Sequence, residues 1–90
     1  MTLYVIECNT PKHFYVGLSN NIANRIGSHC FGNGSSWTKI HGVNRVVSIK
    51  EFQNETLAKY AEMMEVKRLS RIGEVRGAGI TSAKRGRGRK

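Results

Sequence analysis

Four polar side chains in the first third of the chain, two tyrosines, an arginine and a histidine, could together act on a phosphate ester. Tyr4 and Tyr15 each stand in a short run of aromatic and β-branched residues, and Arg25 and His29 follow with the spacing of one helical turn. A guanidinium binds phosphate oxygens through its fork of N–H groups, and an imidazole exchanges a proton near neutral pH. A phenol can take a proton from water if its pKa is lowered. These residue types in this order indicate a nuclease.

The two tyrosines are placed by a predicted hairpin. Residues 3–6 and 13–17 are rich in aromatic and β-branched side chains, and the turn-forming residues 9–12 separate them, so they predict two antiparallel strands. Side chains at facing positions of such a pair lie within a few ångströms of each other. Tyr4 and Tyr15 are therefore expected to present their phenol groups to one cleft.

The arginine and the histidine are placed by a predicted helix that begins after the capping residues 19–21. Its apolar residues recur on one face: Ile22, Ala23, Ile26 and Cys30. Arg25 and His29 fall just past the edge of this apolar arc. At that border, core packing would hold each side chain on one flank while the other flank meets a solvated phosphate.

The remaining pattern predicts one more strand and one more helix. A glycine- and serine-rich loop over 31–36 leads to a strand over 43–52, and a helix starts at Asn54 and Glu55 and is ended by Gly73. Its apolar residues are Leu57, Ala58, Ala61, Met64, Leu69 and Ile72. Residues 75–81 read as an extended closing segment. We therefore predict an α+β fold with a small three-stranded antiparallel sheet flanked by helices, in one domain over residues 1–81.

The charge distribution points to a polyanionic partner. The 90 residues carry a net charge of +9 with a pI near 10.2, which favours phosphate contacts and counterion release. Five of the fifteen basic residues lie in the tail over 82–90: Lys84, Arg85, Arg87, Arg89 and Lys90. We predict that this tail is disordered until it binds nucleic acid, the alternative being a merely hydrated end. On the domain itself, Lys39 and Arg45 are the predicted nucleic-acid contacts.

The composition does not fit a membrane protein or a small protein stabilised by disulfides. No apolar run approaches the length of about 20 residues that spans a bilayer, and no secretory signal is visible. We expect a cytoplasmic protein, or one associated with the nucleoid or nucleus through DNA, that is a monomer or a weak dimer with no membrane partner. Cys8 and Cys30 are predicted to be small buried apolar residues. A zinc site with His13 and His29 is the alternative, although the spacing is unlike that of structural zinc sites.

Two tripeptides, Thr2-Leu3-Tyr4 and Tyr15-Val16-Gly17, followed by Arg25 and His29, resemble the GIY-YIG nuclease superfamily. Its two strands carry such tripeptides, and its first helix carries an arginine and often a histidine one turn later. The resemblance continues through residues 32–37, the third strand and the second helix. It implies metal-dependent hydrolysis of phosphodiester bonds, with DNA as the expected substrate and one strand cut per active site.

The resemblance also implies a role for each matched residue. Tyr15 would be the general base, and Tyr4 would orient the attacking water or share its proton. Arg25 would bind a phosphate oxygen, and His29 would relay a proton or bind phosphate.

A single glutamate on the later helix would hold the cation. Glu62 and Glu65 each follow an alanine by four residues, the spacing often found in the family. Glu65 falls inside the apolar arc of that helix and could instead form a buried pair with Arg68. The family's spacing from the end of the third strand at Phe52 favours Glu62. One carboxylate with water in the other positions suits Mg²⁺, with Mn²⁺ as the alternative cation.

Some departures from the family pattern support two other interpretations. The first tripeptide lacks the glycine and isoleucine, residues 75–83 hold no clear equivalent of a frequent asparagine, and Leu18 stands where some relatives have lysine. The alternative function is a catalytically inactive nucleic-acid-binding module of the same fold. A small ribosomal or RNA-packing protein would explain the charge, but not the tyrosines, arginine and histidine.

Overall fold

Seven elements make up the part of the chain that the structure describes, a computed structural model of residues 1–32 and 34–77. In chain order they are β1 (Thr2–Glu7), β2 (His13–Ser19), α1 (Ile22–Cys30), α2 (Ser36–His41), β3 (Arg45–Glu51), α3 (Glu55–Ser70) and β4 (Glu74–Gly77). The strands form one mixed sheet in the order β3-β1-β2-β4. The predicted α+β class is confirmed.

The sheet has four strands rather than the three predicted. β1 pairs antiparallel with β2 and β3, whereas β4 pairs with β2 in parallel. β4 contains the start of the predicted extended segment, whose residues 78–81 lie outside the described residues, as do the predicted domain boundary and the basic tail. A segment of four residues carries too little pattern to predict which strand it pairs with. Gly73 makes the pairing of β4 with β2 sterically possible, because a Cβ at this position would overlap the carbonyl oxygen of Lys12.

The hairpin register places the two tyrosines diagonally. Tyr4 pairs with Gly17, and Tyr15 pairs with Ile6, so the tyrosines are not directly opposite each other as predicted. They still share a face of the sheet, because positions two residues apart along a strand point the same way. Their ring centroids are 6.2 Å apart.

The two faces of the sheet carry separate apolar layers. Leu3, Val5 and Val16 pack on one face with Val66 and Leu69 of α3. On the other face a second layer forms around tyrosine and isoleucine side chains; its members are Tyr4, Ile6 and Tyr15, with Ile22, Ile26, Trp37, Val43 and Val46 against them. β1 is buried on both faces because it lies between two strands and two layers. The tyrosines thus lie in the layer that faces α1 and α2.

Helix α1 begins where predicted, with the side chain of Asn21 accepting a hydrogen bond from Asn24 N, but its buried face differs. Its single buried residue is His29, while Ala23 and Cys30 are exposed. The prediction that His29 sits at the edge of an apolar arc was wrong. The reason is that hydrogen bonds of the imidazole, and not apolar periodicity alone, decide which side of this short helix faces the sheet.

Helix α2 lies where the sequence indicated an irregular lead into the third strand. Ser35 caps it by accepting a hydrogen bond from Thr38 N at 3.1 Å, and Gly42, with a φ of 76°, ends it. A left-handed φ favours glycine at that position. Six residues give too few turns for a periodic signal, so only the two caps could have predicted this helix.

Helix α3 starts after the predicted cap, Asn54, but ends at Ser70 and not at Gly73. Its buried residues are Ala58, Glu62, Val66 and Leu69, while Leu57, Met64 and Ile72 are exposed. Ala58 and Leu69 of the predicted apolar arc are therefore buried as expected, but Leu57 and Met64 are not, because α3 packs on the sheet through the face that carries Ala58, Glu62, Val66 and Leu69. Glu62 lies in the middle of this buried face.

The cysteines differ from each other. Cys8 is buried as predicted, whereas Cys30 is exposed at the end of α1, where no layer covers it. Among residues 1–32 and 34–77, no three histidine, cysteine or acidic side chains form a group that could hold a metal ion. Over the same residues no helix combines the length and the apolar character that crossing a membrane needs.

Gly17 is required for space. A Cβ at this position would lie 2.5 Å from the hydroxyl oxygen of Tyr4, whose side chain is fully buried and cannot swing away. We expect Gly17→Ala to lower the free energy of unfolding by about 1–3 kcal/mol, as overpacking does. Gly27→Ala is the control, because a Cβ there meets nothing within 4 Å and should add up to about 1 kcal/mol of helix stability. Urea denaturation measures both; equal stability of the two variants would contradict this account.

Candidate active site

The hydroxyl group of Tyr4 is the centre of a buried polar cluster between the sheet and α1. The side chain is 0% exposed and lies across Gly17. Its oxygen accepts a hydrogen bond from Arg25 Nε at 3.3 Å and lies 2.9 Å from His29 Nε2. The hydroxyl oxygen of Tyr4 on β1 therefore fixes two side chains of α1.

The cluster continues through His29 to α2. His29 Nδ1 lies 2.9 Å from Thr38 Oγ1, which in turn donates to the carbonyl oxygen of Ser35 at 3.3 Å. Every donor finds an acceptor if Nδ1 carries the imidazole proton and Nε2 accepts from Tyr4, so the hydrogen-bond network assigns this tautomer. Gly34 lies against the ring, and a Cβ there would overlap Nδ1.

Burial keeps both partners of the Tyr4–His29 hydrogen bond neutral. Desolvation, helped by the positive charge of Arg25, lowers the pKa of His29 to about 4. Desolvation also raises the pKa of Tyr4 to about 12, although the hydrogen bond from Arg25 acts in the opposite direction. His29 is only 1% exposed. The roles predicted for Tyr4 with water and for His29 with phosphate stay predictions; in this structure the hydrogen bonds of the two side chains connect Arg25, α1 and α2.

Arg25 is the member of the cluster that extends toward solvent. Its side chain is half-buried, with Nε on Tyr4 and Nη2 donating to Gly34 O at 3.4 Å. Its pKa is raised first by the hydrogen bond to Tyr4, against desolvation, and further by Tyr15. The ion pairs among the described residues join other side chains: Arg45 with Glu7, Lys59 with Glu55 and Arg68 with Glu65. Arg25 therefore brings an uncompensated positive charge to the two phenols.

Tyr15 completes the group of aromatic rings. Its ring centroid lies 4.8 Å from that of His29 and 6.2 Å from that of Tyr4. At 4% exposed, Tyr15 is buried almost as completely as Tyr4, which is 0% exposed. The structure thus brings together the four residues singled out in the first third of the chain, and Arg25 is the one among them that is only half-buried.

Glu62 is a buried side chain with one carboxylate oxygen, Oε2, that lacks a hydrogen-bond partner among the described residues. It is 4% exposed. Desolvation raises the pKa of Glu62 to about 7, partly offset by Lys59. Its charge makes a minor contribution to raising the pKa of Tyr4, although α3 packs on the face of the sheet opposite the phenols. A buried oxygen without a partner fits a cation, since Mg²⁺ prefers carboxylate oxygens.

The other sequence-predicted residues lie elsewhere. Glu65 pairs at the surface with Arg68, and so forms neither a buried pair nor a carboxylate without a partner. Arg45 is paired with Glu7 at 2.7 Å, and Lys39 is exposed in the last turn of α2. The tail residues lie outside the described residues. Sequence reasoning missed Thr38 and Gly34, since neither gives a signal apart from its contact with His29.

Comparisons with known proteins agree with this geometry. Residues 1–75 match the family model described as the GIY-YIG catalytic domain. The chain is 35% identical to a UPF0213 protein of Cupriavidus necator over 68 residues, which cover 76% of this chain and 72% of that protein. It is 28% identical to a UPF0213 protein of Oceanobacillus iheyensis over 74 residues, covering 82% of this chain and 84% of that protein. No solved structure matches.

The buried neutral imidazole predicts a pH dependence of stability. Because the pKa of His29 in the folded protein, about 4, lies below its ordinary value of 6.5, the unfolded chain takes up a proton first as the pH falls. Stability from this group is present above pH 6.5 and decreases toward pH 4, by about 2 kcal/mol at pH 5. The pKa of Glu62 is raised, so its contribution to stability changes with pH in the opposite direction. That contribution is the same in wild type and in each variant, so it cancels in the comparison below.

Urea denaturation of wild type and His29→Gln at pH 7 and pH 5 isolates the contribution of His29. Wild type should lose more stability than the variant over this interval. His41→Gln serves as the control, because that imidazole is only partly buried, and it should behave like wild type. The NMR titration of His29 in the wild-type protein checks the result independently; an imidazole that titrates near 6.5 would contradict it.

Proposed function

Since this chain belongs to the GIY-YIG catalytic domain family, a nuclease family, we propose that it hydrolyses phosphodiester bonds in DNA with the help of a divalent cation. The supporting observation is the half-buried Arg25 guanidinium, which is fixed by Tyr4, has no carboxylate partner among the described residues and lies beside the phenol of Tyr15. A fixed positive charge next to a group that can accept a proton is what hydrolysis at phosphorus needs.

Arg25 binds the phosphate. Its Nε and Nη2 are held by Tyr4 and by the carbonyl of Gly34, so the side chain loses little freedom when a phosphate oxygen meets its remaining N–H groups. Negative charge that develops on the phosphate oxygens is then stabilised by a charge that does not have to move. His29 and Thr38 contribute by holding Tyr4, and through it Arg25.

Tyr15 is the general base. Tyr15 acts after its own proton has passed to solvent. As the water oxygen forms its bond to phosphorus, a water proton passes to the Tyr15 oxygen, the bond from phosphorus to the leaving oxygen breaks, and the leaving oxygen takes a proton from solvent. Tyr15 contributes to raising the pKa of Arg25, which keeps the guanidinium charged beside it. Tyr4, fully buried and with a pKa of about 12, stays protonated throughout.

Glu62 holds the cation. When bound, a divalent ion such as Mg²⁺ or Mn²⁺ supplies charge stabilisation to the phosphate and to the departing oxygen. Burial raises the pKa of the Glu62 carboxyl group to about 7. A cation therefore competes with a proton for Oε2, which has no other partner among the described residues.

A second function has one observation in its favour. Tyr4, Tyr15 and His29 are all buried, and a site whose one half-buried member is Arg25 could bind nucleic acid without cutting it. The inactive module and the nuclease differ in turnover and not in binding, so one assay separates them.

Purified protein incubated with nicked, branched, linear and single-stranded DNA, and with RNA, in Mg²⁺ or in EDTA should cleave a DNA substrate only when Mg²⁺ is present. Arg25→Ala should lower kcat by about 100-fold or more, since one charge partner in the transition state contributes about 3 kcal/mol. Arg71→Ala is the matched control, because Arg71 is equally charged, is exposed, and caps α3 on the opposite face of the sheet. Binding to every substrate without cleavage would leave only the inactive module.

Thermal unfolding tests the cation site without any substrate. A cation present at ten times its Kd should stabilise wild type by about 1.4 kcal/mol and raise Tm by about 6 °C or more. Glu62→Gln should remove this increase. Glu65→Gln should retain it, because Glu65 is paired with Arg68 at the surface. An unchanged increase in Glu62→Gln, or its loss in Glu65→Gln, would reject Glu62 as the ligand.

A further inference from the structure

An aromatic cluster lies beside Tyr15 and takes no part in the chemistry proposed above. The rings of His13, Trp37 and His41 are in mutual contact: the centroids of His13 and His41 are 4.3 Å apart, those of Trp37 and His41 are 4.4 Å apart, and His13 stacks on Trp37 at 5.5 Å. Trp37 also packs against the layer that contains Tyr15. The cluster therefore continues the surface of the site toward β4.

Arg76 of β4 lies over this cluster. Its guanidinium carbon is 4.8 Å from the centroid of the Trp37 ring. In the parallel pairing of β2 with β4, Arg76 is the partner of Tyr15, so the two side chains share a face of the sheet. Arg25 of α1 donates a hydrogen bond to Tyr4 of β1, whereas Arg76 belongs to β4, on the other side of β2. Tyr15 of β2 thus lies between the strand that holds Arg25 through Tyr4 and the strand that carries Arg76.

The charge of Arg76 is available to a ligand. Arg76 is exposed, and the ion pairs found among residues 1–32 and 34–77 involve other basic side chains. Glu74 shares its face of β4 but is not one of those ion-pair partners. A guanidinium stacked on an indole keeps its N–H groups free at the edge, because the contact uses only the face of the ion. Arg76 is therefore an oriented cation that has no anionic partner within the described part of the chain.

We propose that Arg76, held over Trp37, binds a backbone phosphate of the substrate strand next to the phosphate that is cleaved. The inference rests on the proposed function and extends it, since it fixes the path of the strand across β2 toward β4. Trp37 acts as a positioning residue: its Nε1 donates to Phe14 O at 2.9 Å, which locks the indole under the guanidinium. A contact of this kind positions the strand and reads no base.

Binding and cleavage are measured separately, on the full chain with its tail. Fluorescence anisotropy with a short labelled DNA in EDTA, over a series of salt concentrations, gives the affinity and the slope of log K against log salt. Arg76→Ala should weaken binding about 5- to 10-fold and reduce the slope by about 1. Arg76→Lys should keep the slope, because it keeps the charge. Arg71→Ala, with the same loss of charge on the opposite face, should leave the slope unchanged.

Steady-state kinetics with Mg²⁺ complete the test. Arg76→Ala should raise KM by about the same factor as its loss of affinity and leave kcat within about twofold, since the contact binds substrate and transition state equally. A lower Tm with an unchanged slope and KM would show that the Trp37–Arg76 contact only stabilises β4, and would overturn the inference. If wild type cleaves nothing, the proposed nuclease fails, and the salt slopes alone still decide whether Arg76 binds phosphate.

Discussion

The hydroxyl group of Tyr4 is the interaction on which the site depends. It joins β1 to α1 through Arg25 and His29, and the His29 imidazole extends the connection to Thr38 on α2. A buried polar group is costly unless it is hydrogen-bonded, and leaving one partner unsatisfied costs about 1–3 kcal/mol. The network therefore holds three elements in one arrangement, because each alternative packing would leave a buried donor or acceptor without a partner.

The two layers of the small domain divide its tasks. The layer under α3 is built from aliphatic side chains and stabilises the sheet. The layer under α1 and α2 combines apolar residues with the Tyr4 network. This layer positions Tyr15 and the half-buried side chain of Arg25. Glycines make this second layer possible, since Gly17 gives room to the phenol of Tyr4 and Gly34 to the imidazole of His29. The proposed chemistry uses charges that packing has fixed in advance.

Burial also assigns different tasks to residues of similar chemistry. Tyr4 and Tyr15 are both buried phenols two positions from facing each other, yet it is Tyr4 that hydrogen-bonds to His29 and has its pKa raised to about 12. Arg45 forms an ion pair with Glu7, whereas Arg76 lies over the indole of Trp37. Neither difference follows from residue type, because desolvation and partners are properties of the folded chain.

The sequence alone determined what local rules govern: the hairpin, the starts of α1 and α3 at Asn21 and Asn54, the α+β class, and the set of residues able to act on a phosphate ester. Strand composition and helix capping depend on residues that are close together in the sequence, so they can be predicted from the sequence alone. The tertiary structure decided which helix faces are buried, the addition of β4, and the division between buried and accessible site residues. These depend on contacts between distant segments, where the hydrogen bonds of His29 outweighed apolar periodicity and the packing of α3 on the sheet buried Glu62.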